Sequence, residues 1–302
     1  MDKIAKIKNM SEQKNYQPRK KIGLALGGGG AKGLAHIGVI KVLEEANIPI
    51  DFIAGTSMGA LVGGWYAATK SIKFLENIFL KIGNEDLFSM AEAKERKDGN
   101  LFKSKKYDRL LEGLLDNKRF EQCVIPFRAV ATNLENGQEV IIGEGSVVEG
   151  IKASIALPII FQPVKFNGQL LIDGGFSNPV PADVVREMGA DFVIAVDVSS
   201  RWINITDDLI TPKNMEVLVH HVFAAIEYQL ARKVLKLADI VLKPAVLTYD
   251  LLEFFRAKEI IEAGRKESQY NLGEIRAKAG YPKREPKTIA EKIIELININ
   301  PY

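Results

Sequence analysis

From Phe52 to Thr69 the chain carries no charged side chain, and within that run it spells Gly55-Thr56-Ser57-Met58-Gly59. No other stretch constrains the fold so strongly. An apolar run that enters a serine flanked two places either side by glycine reads as a strand turning sharply into a helix. The glycines keep strand and helix from colliding, while the serine takes a strained backbone conformation with its hydroxyl exposed at the turn. The run is long enough to count as a membrane-span candidate, yet Gly55, Gly59, Gly63 and Gly64 interrupt it, and a buried strand-turn-helix accounts for it better.

What precedes the elbow supports this reading. Ile22 to Leu26 is a short apolar run that meets Gly27-Gly28-Gly29-Gly30, after which Ile37, Ile40, Leu43 and Ala46 recur at helical spacing up to Asn47. That is strand, glycine loop, helix. With the strand opened by Pro49, it makes a βαβ unit of the kind found in parallel sheets. Further strands are expected at Phe127–Thr132 and Glu139–Ile142, joined across Asn136-Gly137, and at Val164–Phe166 and Leu170–Ile172, joined across Asn167-Gly168. Asn-Gly between apolar runs signals a tight hairpin. Phe192–Val196 and Ile240–Leu242 read as buried strands, with a long amphipathic helix over Asn214–Leu237 between them.

The remaining segments are polar. Residues 1–20 hold a cluster of lysines with no apolar core for a signal peptide, and are expected to form a basic, flexible tail, read first as a solvated linker and alternatively as a weak contact for anionic membranes. Residues 86–121 form a basic surface excursion, read either as a lid with Leu87, Phe88, Leu101 and Phe102 facing a membrane or as a plain connector. A net charge of +3, scattered along 302 residues, argues against nucleic-acid binding. The single cysteine, Cys123, rules out an internal disulfide framework and favours a reducing, cytoplasmic compartment.

A serine hydroxyl is a poor nucleophile until a base takes its proton, and the oxyanion it creates needs preorganised donors. Ser57 is the candidate nucleophile. The run Gly27 to Gly30, with Gly33 behind it, lets several backbone N–H groups converge at a helix start as an anion cradle. For the base, His36 lies in the helix after the glycine loop, and His220 and His221 lie mid-helix; all three read as structural. Asp173 is the stronger candidate, since it ends a hairpin strand and is followed by Gly174-Gly175, which permits close backbone approach.

Gly28-Gly29-Gly30-Ala31-Lys32-Gly33, Gly55-Thr56-Ser57-Met58-Gly59 and Asp173-Gly174-Gly175, in that order, resemble the signatures of the patatin-like phospholipases. The likeness extends to Leu34 through Val39, Ile151 through Ser154 and Phe176 through Pro181. It implies a three-layer α/β/α fold with a mainly parallel central sheet, as one domain over 21–302 whose motifs lie within 22–200, with a helical extension over 201–302. It also implies a Ser57–Asp173 dyad acting through an acyl-enzyme, an oxyanion hole from the N–H groups of Gly28, Gly29, Gly30 and Met58, and no cofactor or metal. The partners it implies are lipid or acyl-ester substrates with peripheral membrane contact. The chain departs from the family at Pro158-Ile159, where Pro-Gly is common, and at Asn133, where aspartate is common.

Three other readings stay open at this level. Gly28 to Gly33 also fits the dinucleotide-binding GxGxxG, although the second strand lacks its acidic residue. A Ser57, Asp197 and His220 or His221 triad follows the order of the α/β-hydrolases. A regulatory module that binds without catalysis would keep the same fold.

Overall fold

The computed structural model describes residues 19–81, 113, 115, 117–199 and 215–281. The sites raised at Leu87, Phe88, Leu101 and Phe102 lie outside these residues. Arg19 and Lys20, expected within the tail, are tied down: the Arg19 guanidinium bonds both Asp51 carboxylate oxygens at 2.6 and 2.5 Å and the Tyr281 hydroxyl at 3.2 Å.

A sheet of eight strands runs through the centre, its hydrogen-bonded neighbours following β5-β6-β3-β2-β1-β7-β8 with β4 added to β3. β1 (Ile22–Leu26), β2 (Phe52–Thr56), β3 (Phe127–Asn133), β7 (Phe192–Val196) and β8 (Ile240–Leu242) are parallel, whereas β4 (Glu139–Ile142), β5 (Val164–Phe166) and β6 (Gln169–Asp173) join antiparallel. Both Asn-Gly hairpins form. Asn167 and Gly168 each take positive φ, 47° and 80°, the pairing that a two-residue turn matched to strand twist requires.

The two faces of the sheet are unlike. In β1, Ile22, Leu24 and Leu26 belong to the larger apolar core, beneath α1 (Ala35–Glu45), α2 (Met58–Thr69), α4 (Val147–Ser154) and α7 (Ala257–Ala279). Ala25, between them, faces the smaller core with Val184 and Val185 of α5 (Ala182–Glu187) and Ala231 of α6 (Met215–Val234). Each fully buried Ile or Leu contributes roughly 1.5–3 kcal/mol from the loss of apolar surface to water. The remaining helix of the first half, α3 (Ile72–Lys81), buries Ile72, Leu75 and Phe79 on the large-core side.

The C-terminal helix is integral to this core. α1 and α7 cross at reciprocal glycines: a Cβ on Gly38 would stand 2.0 Å from the Ile261 carbonyl oxygen, and one on Gly264 would stand 1.9 Å from that of Ala35. Close backbone contact at this crossing holds α7 against the helix that leaves the glycine loop.

The strand registers explain how distant residues meet. β4 pairs with β3 over Ala129–Thr132, while β2 pairs with Ile53–Thr56 against Phe127–Val130 and β6 with Leu171–Asp173 against Ala131–Asn133. β4 overlaps both partners on β3, so β2 and β6 share the opposite edge, running toward each other. Their C-terminal ends, Thr56 opposite Val130 and Asp173 opposite Ala131, therefore abut.

Candidate active site

Ser57 sits where β2 ends and α2 begins, with φ 54° and ψ −123°, a region L-residues seldom occupy. The flanking glycines are obligatory: a Cβ on Gly55 would lie 2.3 Å from the Gly59 carbonyl oxygen, and one on Gly59 would lie 2.1 Å from that of Leu26. The strained turn has a buttress. The Ser57 N–H donates to Ser154 Oγ at 2.9 Å, and that hydroxyl donates to the Val130 carbonyl at 2.5 Å. Ser154, at the end of α4, is fully buried and so locks the elbow to β3.

Asp173 arrives at the same point from β6. Its side chain is almost wholly buried; Oδ1 accepts the Gly175 N–H at 2.8 Å, and Oδ2 has no partner in hydrogen-bonding geometry among the described residues. Loss of hydration pushes this carboxyl up to about 6, against the pull of the Ser57 hydroxyl and the Gly175 N–H. Ser57 and Asp173, far apart in sequence, thus face one another. The segment after Asp173 is pinned by Thr56 Oγ1, which donates to the Asn178 carbonyl at 2.7 Å, and by Asn178 Nδ2, which donates to Glu139 at 3.0 Å and Asp183 at 2.7 Å.

The glycine loop closes the third side. A Cβ on Gly28 would stand 3.3 Å from Ser57 Cβ, so the loop passes directly beside the serine. The Gly28 N–H is taken by the Pro179 carbonyl at 2.9 Å, which corrects its expected place among the oxyanion donors. Among the described residues, the N–H groups of Gly29, Gly30 and Met58 are not used in turn and cap hydrogen bonds. Gly33 gives room behind them, since a Cβ there would meet Met58 Cγ at 2.5 Å. The start of α2 also points here, adding its partial positive charge.

The histidines play other parts. His36 is fully buried, its Nε2 within 2.7 Å of the Gly27 carbonyl that it holds in place, and burial drives its pKa down to about 4. His221 lies half-buried in α6, and the backbone of His220 lies in the same helix. Asp197, raised as a triad acid, spends Oδ1 on the Ser199 N–H and hydroxyl at 3.0 and 2.6 Å.

Two groups escaped the sequence reading. Ser154 lies in a segment noted only for its resemblance. Glu227, on α6, feels the charge of Asp173, and nothing in an amphipathic helix distinguishes that glutamate from its solvated neighbours.

A hydroxyl on a strained turn, a desolvated carboxyl and a group of main-chain donors are gathered within residues 28–175, and the family model for patatin-like phospholipase matches residues 24–186. The chain belongs to the patatin-like phospholipase family. It is 35% identical over 188 residues to the mouse (Mus musculus) patatin-like phospholipase domain-containing protein 6, covering 60% of this chain and 14% of that protein. It is 26% identical over 298 residues to lysophospholipase NTE1 of Pyricularia oryzae, covering 91% of this chain and 20% of that one. The chain thus spans a fifth or less of the length of these relatives. Among solved structures, VipD of Legionella pneumophila aligns with a TM-score of 0.49 at 14% identity, over 85% of this chain and 67% of that one. No described helix is long and apolar enough to cross a membrane.

Proposed function

We propose that the protein hydrolyses carboxylic esters of lipids through an acyl-enzyme on Ser57. The observation that carries this reading is the meeting of β2 and β6 end to end on one edge of β3, which sets the Ser57 hydroxyl against the buried Asp173 carboxyl. Asp173 removes the hydroxyl proton as Ser57 attacks the ester carbonyl. The tetrahedral oxyanion is held by the N–H groups of Gly29, Gly30 and Met58, and Asp173 then returns the proton to the departing alcohol. Water, deprotonated by the same carboxylate, releases the fatty acid.

The raised pKa of Asp173 suits this work. An ordinary aspartate, near 3.9, is a weak base at neutral pH, whereas one near 6 is a stronger base and is still ionised at pH 7. The carboxylate needs no histidine to relay the proton.

Lysophospholipids are the first substrates to test, because one relative is a lysophospholipase. Contact with a lipid surface is supported by Val222 and Ile226, which stand 50% and 43% exposed on α6, the helix that packs against Gly175 and Phe176. Hydrolysis of a short-chain 4-nitrophenyl ester and of a lysophospholipid should be lost in Ser57→Ala and Asp173→Asn and retained in His220→Ala and His221→Ala. Loss on replacing either histidine would favour the triad instead.

A further inference from the structure

α6 packs against the turn that follows Asp173. Phe223 packs edge-on against Phe176 with ring centroids 4.7 Å apart, which docks the helix beside the Asp173-Gly174-Gly175 turn. One helical turn further along the same face is Glu227. Its Oε1 stands 2.1 Å from where a Cβ on Gly175 would lie, so the carboxyl rests directly against that glycine. The Gly175 N–H is the same group that holds Asp173 Oδ1. A second carboxyl therefore rests on the backbone that positions the first.

We propose that Glu227 is a positioning residue of the dyad, a second carboxyl that shares one negative charge with Asp173 and so limits the pH range in which Asp173 acts as base. This rests on the reading of Asp173 as the base. Among the described residues, the ionisable groups acting on Glu227 are Asp173, from the end of β6, and Lys32, from the helical turn after the glycine loop. Lys32 is itself buried, with its pKa lowered by loss of hydration, and it faces Asp250 and Asp197 as well as Glu227. Lys32 favours the ionised glutamate, but burial and the charge on Asp173 outweigh it and push Glu227 up to about 8.

Two carboxyls in one desolvated site titrate as a pair. The first proton lost creates the active form, with a single negative charge centred on Asp173 and a neutral Glu227. Loss of the second places another negative charge beside a reaction centre that must itself develop an oxyanion, so the rate falls.

The test is the pH dependence of kcat/KM for 4-nitrophenyl butyrate, with the wild type, Glu227→Gln and Asp173→Asn side by side. Wild type should rise through about pH 6 and fall above about pH 8, reaching about a tenth of its plateau by pH 9. Glu227→Gln cannot ionise, and its alkaline fall should vanish or move up by more than one pH unit while its acid limb stays in place. An alkaline fall unchanged in Glu227→Gln would overturn the proposal, although an inactive Asp173→Asn would leave the base assignment standing. An Asp173→Asn enzyme that keeps the wild-type profile would overturn both. Should Glu227→Gln fail to fold, the wild-type curve decides, since a plateau from pH 7 to 9.5 contradicts the proposal and a fall near pH 8 supports it.

Discussion

Replacing Asp173 with asparagine should remove activity and, at neutral pH, make the protein more stable. The carboxyl lies at about 6 in the folded protein against an ordinary 3.8. Folding thus raises its pKa, and the folded state binds the proton more tightly than the unfolded chain. Below pH 3.8 both states are protonated and the group is neutral to stability. The penalty builds between 3.8 and about 6 and is fully present above that. A difference of about 2.2, at roughly 1.36 kcal/mol each, comes to about 3 kcal/mol. Asparagine keeps the shape and an oxygen to accept the Gly175 N–H, but carries no charge. Urea unfolding of both proteins at pH 7.5 should show Asp173→Asn more stable by about 3 kcal/mol, and at pH 4.5 the gain should shrink to about 1 kcal/mol. His36, held neutral by burial, is common to both proteins and cancels, while Glu227, relieved of the charge on Asp173 in the variant, adds to the gain in the same direction. Equal stabilities at pH 7.5, or a gain that does not shrink in acid, would refute the argument that a desolvated carboxylate is maintained here at the expense of the fold.

Other expectations follow from the same geometry. Ser57→Gly should raise stability by about 1 kcal/mol in denaturant melts, because glycine adopts the φ of 54° without strain, while ester hydrolysis is lost. Ser154→Ala should lower stability by about 1–3 kcal/mol and reduce kcat, since it leaves the Ser57 N–H and the Val130 carbonyl without their bridge. Gly264→Ala should lower the unfolding free energy by about 1–3 kcal/mol in urea titrations through a clash with the Ala35 carbonyl, 1.9 Å away, and leave the pH profile of hydrolysis unmoved.

Much of this arrangement was legible in the residues, and the boundary of what was legible has physical causes. The elbow was readable because the glycines at 55 and 59 are demanded by main-chain contacts within and beside the turn itself. The hairpins were readable because Asn167-Gly168 states its backbone angles locally. Asp173 could be selected as a strand end before two glycines, but its meeting with Ser57 depends on β4 occupying one edge of β3 and forcing β2 and β6 onto the other, a property of register that no local pattern carries. The family signature supplied that pairing in advance. The fate of individual N–H groups was beyond reach: Gly28 looks like its neighbours in sequence, yet Pro179 claims its donor. Glu227 was hidden for a related reason, because its role is defined by the aromatic contact that lays α6 across the Gly175 backbone.

The most direct test of the central claim is mass spectrometry of the protein after reaction with a fluorophosphonate ester. Peptide mapping should find one adduct, on Ser57, formed rapidly in the wild type, absent from Ser57→Ala and slowed by orders of magnitude in Asp173→Asn. Labelling at another residue, or of Asp173→Asn at the wild-type rate, would contradict the account.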